Sequence, residues 1–263
     1  MLPHYILFNH LVINFYGLFV SFGVASALFM IYKSAPSKNI NPKNILNFSI
    51  CVVLIGLMGS RIFFVIFNWH LFSGFPISRM LAFWRGGLMF QGGPIVAVLA
   101  SPYLLKKYGL KFWPAADIIA PSLALGQGVG RIGCFFAGCC YGRETSPHTL
   151  ISVVFPASSQ APSGVPLWPA QLMESVCLLA LSFLLVRASK KNYFKNHGGL
   201  IAGLYLFCSG LLRFIMESFR NDNRGSHIFG YYPTTLISLS MLIFGLIVLV
   251  RLKKAINMEL TAE

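Results

Sequence analysis

The sequence predicts an all-α polytopic membrane protein with seven transmembrane helices, on three observations. Of 263 residues, 56% are hydrophobic and only 11% are charged, and the mean hydropathy is +0.69. An ordinary soluble domain carries about 25% charged residues. Apolar runs close to the roughly 20 residues needed to cross a bilayer recur along the chain. The cations between those runs alternate in density, as they do in loops on opposite faces of a membrane. Such a composition excludes a disordered chain. The net charge of +14, from 21 Lys and Arg against 7 Asp and Glu, does not make so apolar a chain a nucleic-acid binder, and no nucleic-acid partner is expected.

The spans are expected at 11–31, 45–67, 88–105, 114–136, 169–186, 200–219 and 232–250. Span one reads as retained rather than as a signal peptide, because no Lys or Arg precedes Lys33 and the apolar stretch is long. Span three is short and Gly-rich at its start. Span four is expected to be broken by Pro121 and its glycines. The segment 141–168 carries Ser, Pro and Gly with an alternating patch near 150–155, so it reads as a small periplasmic arm with a β-hairpin tendency. Trp168-Pro169 reads as an interfacial anchor and the start of span five. Short loops and the absence of repeats argue for a single transmembrane domain over 1–263.

Thirteen cations follow spans one, three, five and seven, from Lys33 to Lys254. Five lie on the other side: Arg79, Arg85, Arg143, Arg220 and Arg224. The positive-inside rule then places the N-terminus outside and the C-terminus in the cytoplasm.

An ionisable group at membrane depth costs a few kcal/mol and marks a functional site by default. The candidates are Arg61, Asp117, Arg131, Glu174, Arg213 and Glu217. The three arginines offer a planar fork that matches phosphate oxygens. Arg213 and Glu217 stand at i and i+4 and share a helix face, either as a stabilising pair or in a polar cavity. Arg131 lies among Gly126, Gly128, Gly130 and Gly133, which permit close approach by another backbone or by a lipid headgroup. The stretch from Gly86-Gly87 through Gln91-Gly92-Gly93 is similar, and a broken helix there would aim backbone N–H groups at an anion. Arg61 either reaches the same cavity or packs against Asp117. Glu174, near the start of span five, either joins the site or complements the helix dipole.

Cys51, Cys177 and Cys208 are isolated within spans and read as small packing residues. Cys134, Cys139 and Cys140 are clustered. A metal centre needs more ligands at suitable spacing, and His148 is the only nearby histidine, so no metal or cofactor is expected. A disulfide, a reactive thiol, or small residues in a tight turn are the other readings.

Six ordered segments make the chain resemble the bacterial prolipoprotein diacylglyceryl transferase family over almost its whole length. They are Tyr16-Gly17, Gly59-Ser60-Arg61, Gly86-Gly87 through Gly93, Gly130-Arg131-Ile132-Gly133 through Gly142-Arg143, Pro169-x-Gln171-Leu172-x-Glu174, and Gly210-x-x-Arg213-Phe214-x-x-Glu217. The sequence departs from that family's pattern at four positions. Gln91 stands where the family usually has His, Cys134 replaces Asn, Ser209 replaces Tyr, and Trp168 replaces His.

The resemblance implies transfer of a diacylglyceryl group from phosphatidylglycerol to the lipobox cysteine thiol of a lipoprotein precursor, in the bacterial cytoplasmic (inner) membrane. It implies catalytic roles for Arg131, Arg213, Glu217 and Gln91. Substrate contacts are implied for Tyr16, Arg61, Gly92, Gly93, Cys134, Gly142, Arg143, Gln171 and Glu174. Arg131 and Arg213 would clamp the phosphate, and Glu217 would orient Arg213 or act as base. Gln91 hydrogen-bonds but is no base at neutral pH. A sister transferase with another acceptor, or a silent phospholipid-binding protein, are the alternatives that the four departures raise.

Overall fold

A computed structural model describes residues 4–7, 11–74, 76, 78, 80, 82, 87, 89, 92–146, 149–221 and 232–262. A short antiparallel hairpin, β1 (His4–Leu7) and β2 (Leu11–Asn14), leads into α1 (Phe15–Ser34). There follow α2 (Pro42–Phe67), α3 (Gly92–Lys107) and α4 (Phe112–Ala137). Two short strands, β3 (Val153–Val154) and β4 (Pro166–Leu167), precede α5 (Ala170–Ser189), α6 (Leu200–Glu217) and α7 (Pro233–Ala262). Among the described residues, six stretches are long and apolar enough to cross a membrane: Phe15–Lys38, Pro42–Phe67, Phe112–Ala137, Ala170–Ser189, Leu200–Glu217 and Pro233–Lys254.

Three expectations are revised by the fold. The first helix starts at Phe15 and not at residue 11, because Leu11–Asn14 pairs as a strand and the Asn14 side chain then accepts the Tyr16 N–H as a helix cap. The third expected span is a helix of only 16 residues containing Pro102, about 24 Å long at 1.5 Å per residue. The fourth is not broken, since α4 runs unbroken through Pro121. Hydroxyls bond the backbone around that proline: Ser122 Oγ donates to the Ile118 carbonyl, and Ser182 Oγ of α5 donates to the Pro121 carbonyl at 2.8 Å. The expected hairpin tendency is realised where Val153 pairs with Leu167 and Val154 with Pro166. A small core of Phe155, Ala161 and Leu167 fixes it, with Phe135 at the end of α4 packed against it.

The chain divides into two compact units, Met1–Met30 with Ala116–Glu263, and Ile31–Ala115. In the second unit α2 and α3 meet through small residues. A Cβ on Gly59 would stand 2.7 Å from the Val96 Cβ, and one on Gly93 would stand 2.6 Å from the Ser60 Oγ. Without a hydrophobic driving force in lipid, such close approach is what holds helices together.

In the first unit, Ala120, Ala124, Leu185, Ile201, Ala202 and Tyr205 form the core shared by α4, α5 and α6. Ser175 Oγ ties α5 to the Gly128 carbonyl of α4 at 2.7 Å. Gly23 of α1 faces Gly126 of α4, where a Cβ would stand 2.7 Å from the Gly126 oxygen. Asp117 is buried, and its carboxylate accepts the N–H groups of Gly199 at 2.9 Å and Ala202 at 3.0 Å, capping α6. Asp117→Ala strands these donors and is expected to cost about 1–3 kcal/mol, read as a lower melting temperature in detergent. Asp117→Asn, which keeps one acceptor, is expected to recover part of it. Equal melting of all three proteins contradicts the capping role.

Candidate active site

Three helices of the first unit bring one carboxylate and two guanidiniums together. Glu174 lies one turn into α5, Arg131 two turns before the end of α4, and Arg213 one turn before the end of α6. Arg131 Nη2 meets Glu174 Oε1 at 2.9 Å, and Arg213 Nη1 meets Glu174 Oε2 at 3.1 Å. The Glu174 side chain is 7% exposed, against 21% for Arg131 and 19% for Arg213. Glu174 is thus the shared counter-ion of two arginines 43 and 39 positions away in sequence. Two guanidinium forks carry ten N–H donors, more than one carboxylate accepts. The three groups together hold one net positive charge. Glu217, the last residue of α6, stands one turn beyond Arg213.

The glycines around Arg131 divide by neighbour. Gly126 and Gly133 face α1: a Cβ on Gly133 would stand 3.0 Å from the Phe19 Cβ and 3.1 Å from the Tyr16 oxygen. Gly128 faces Leu179, while Gly130 has nothing within 4 Å. Three of the four therefore serve helix packing, and Gly133 also brings the Tyr16 backbone alongside α4. Gly92 and Gly93 likewise meet α2.

The chain beyond α4 is pinned at both ends of the arm. The Arg143 N–H donates to the Phe219 carbonyl at 2.8 Å, and its Nε donates to the Arg220 carbonyl. Gly142 donates to the Trp168 carbonyl and forms a bridge with Arg220. A Cβ on Gly142 would stand 2.7 Å from the Trp168 Cβ and 3.0 Å from the Phe219 oxygen. Gly142→Ala must therefore push backbone aside, and a loss of about 1–3 kcal/mol is expected in thermal unfolding. A wild-type melting temperature contradicts that packing.

Cys134, Cys139 and Cys140 place their sulfurs within 4.8 Å of one another, and all three are free thiols. Gly138 (φ +68°) and Cys140 (φ +60°) both take the left-handed conformation, which turns the chain back on α4. Gln171, 1% exposed, donates from Nε2 to the Cys139 carbonyl at 2.8 Å and fixes that turn. Cys139 Sγ donates to the Cys134 carbonyl at 3.7 Å, and the neighbouring Cys134 and Cys139 thiols, with the Arg220 and Arg131 guanidiniums, hold the Cys140 thiol below its usual value against the effect of burial.

Arg220, counted in the sequence with Arg143 among the cations of one side, is a residue that sequence reasoning did not name for the site. It is 5% exposed and acts on Cys140 and Arg131. The signal was its spacing: 213, 217 and 220 are i, i+4 and i+7.

Arg61, 3% exposed, belongs to the second unit, where its Nε donates to the Met80 carbonyl at 2.7 Å and its Nη1 to the Gly87 carbonyl at 2.9 Å. Phe64 and Phe72 flank its guanidinium. Gln91 lies outside the described residues.

Apolar helices that bring two guanidiniums and a carboxylate together between them define a multi-pass membrane protein with an internal polar site. The family model described as prolipoprotein diacylglyceryl transferase matches residues 3–251, and the chain belongs to that family. It is similar to the phosphatidylglycerol–prolipoprotein diacylglyceryl transferase 2 of Clostridium perfringens, with 34% identity over 88% of each chain. It is also similar to the phosphatidylglycerol–prolipoprotein diacylglyceryl transferases of Finegoldia magna (31% identity, 93% of each chain) and Clostridium tetani (31%, 89% of this chain and 90% of the relative).

Proposed function

We propose that this protein moves a diacylglyceryl group from phosphatidylglycerol to the lipobox cysteine of lipoprotein precursors. It works as a single transmembrane domain of the bacterial cytoplasmic membrane, with seven crossings, the N-terminus outside and the C-terminus in the cytoplasm. The shortest crossing is α3. The observation that carries the reading is the Arg131–Glu174–Arg213 arrangement, a cationic site held between apolar helices in a chain of this family.

In the reaction the acceptor thiolate attacks a glycerol carbon, a C–S bond forms, and the C–O bond to phosphate breaks. Glycerol phosphate leaves with the electron pair. Arg131 and Arg213 bind the phosphate as that charge localises, and they need no reorganisation because Glu174 already holds them. The acceptor thiol, with a pKa of about 8.5 when free, gives up its proton in this positive field. Glu217 orients Arg213 or accepts that proton. Tyr16, Gly142 and Arg143 line the headgroup's approach, while Gln171 holds the turn beside it.

The test uses the full-length protein in phosphatidylglycerol micelles with a synthetic lipobox peptide. A peptide mass gain of one diacylglyceryl group, with release of glycerol phosphate and no gain on a Cys→Ser peptide, is expected. No gain contradicts the reading. A second reading, the same donor with another acceptor, is favoured by the thiol cluster beside Arg131. Lipidation of a small thiol such as glutathione, without lipidation of the peptide, would select it.

A further inference from the structure

We propose that Cys134, Cys139 and Cys140 form a three-sulfur site for a soft monovalent cation, Cu(I). Sequence spacing alone gave no metal site, because it did not show that the three thiols converge. The fold supplies what spacing did not: α4 ends at Ala137, and the left-handed pair Gly138 and Cys140 folds the chain back so that three sulfurs lie within 4.8 Å. A three-coordinate ion with metal–sulfur bonds of about 2.3 Å holds its sulfurs about 4 Å apart, a contraction that side-chain rotation supplies.

The donor set selects the ion. Among the described residues, no histidine or carboxylate joins the group. Zn(II) prefers a fourth ligand, whereas thiolates select Cu(I) among the first-row ions. The surroundings match the product charge. Three thiolates around one Cu(I) carry two net negative charges, and Arg131 and Arg220 both act on this group. Gln171, buried and bonded to the Cys139 carbonyl, holds the turn in place. Binding forms three Cu–S bonds, releases the thiol protons to water and transfers no electron. This inference needs only the three thiols and does not depend on the transferase reading.

The experiment loads full-length protein in detergent with Cu(I) under anaerobic conditions against bathocuproine disulfonate. One copper per chain is expected, with three sulfurs in the X-ray absorption spectrum. C134S, C139S and C140S are each expected to weaken retention at least tenfold, while C177S and C208S leave it unchanged. On the unaltered protein, Cu(I) is expected to protect all three clustered thiols, and not Cys177, from alkylation. The proposal is overturned by no protection, by fewer than three sulfurs, by retention equal to that of the triple serine variant, or by a disulfide within the cluster in anaerobically purified protein.

Discussion

Glu174→Gln is expected to destabilise the helical bundle more than any other single change at the site. The amide keeps the shape of the side chain but removes the one negative charge shared by Arg131 and Arg213. Breaking a fully buried ion pair costs about 3–5 kcal/mol. The two arginine side chains are 21% and 19% exposed, so water screens part of the loss and about 2–3 kcal/mol is expected. The readout is the melting temperature in neutral detergent. An anionic phospholipid that replaces the missing charge is expected to stabilise the variant more than the wild type. Unchanged melting, with no difference in response to anionic lipid, contradicts the shared counter-ion.

The second large effect has the opposite signature. Arg131→Ala or Arg213→Ala leaves Glu174 with one arginine, a neutral pair, so folding is expected to be largely retained. Transfer activity is expected to fall about 10²–10³-fold for each, the usual consequence of losing one preorganised donor to developing charge. Lysine at either position is expected to recover little, because an ammonium lacks the planar fork. Transfer rate and melting temperature on the same preparations separate the two signatures, and wild-type rates in both alanine variants contradict the phosphate clamp.

Much of this architecture was legible in the sequence, for physical reasons. Runs of about 20 apolar residues that cross lipid form helices, so the expected spans at 45–67, 114–136, 169–186 and 200–219 match observed helices to within three residues at either end. Ionisable residues in those runs are costly, and that singled out Arg131, Glu174 and Arg213. What was not legible depends on distance in space. Nothing in the sequence shows that Glu174 closes on arginines from two other helices, because intrahelical spacing suggested only Arg213 with Glu217. Pro121 looked like a breaker because hydroxyls that bond the backbone around it, from Ser122 and from Ser182 on another helix, are not visible as a pattern. The glycines near Arg131 left helix packing and headgroup approach both open in the sequence, and Gly126, Gly128 and Gly133 face neighbouring helices. The burial of Arg220 was not legible because the apolar run ends before it. The convergence of Cys134 with Cys139 and Cys140 depends on two left-handed residues after α4, one of them not glycine, which composition cannot reveal.

The central claim is that Arg131 and Arg213 act together on one phosphate. It is tested most directly by the transfer rate of the Arg131→Ala/Arg213→Ala double variant beside both single variants, with phosphatidylglycerol and a lipobox peptide. Groups that work as a unit are not additive. The double variant is predicted to transfer at a rate close to that of the weaker single variant, with its helices still folded. A loss equal to the product of the two single losses, or a rate near that of the unaltered protein, would contradict the clamp.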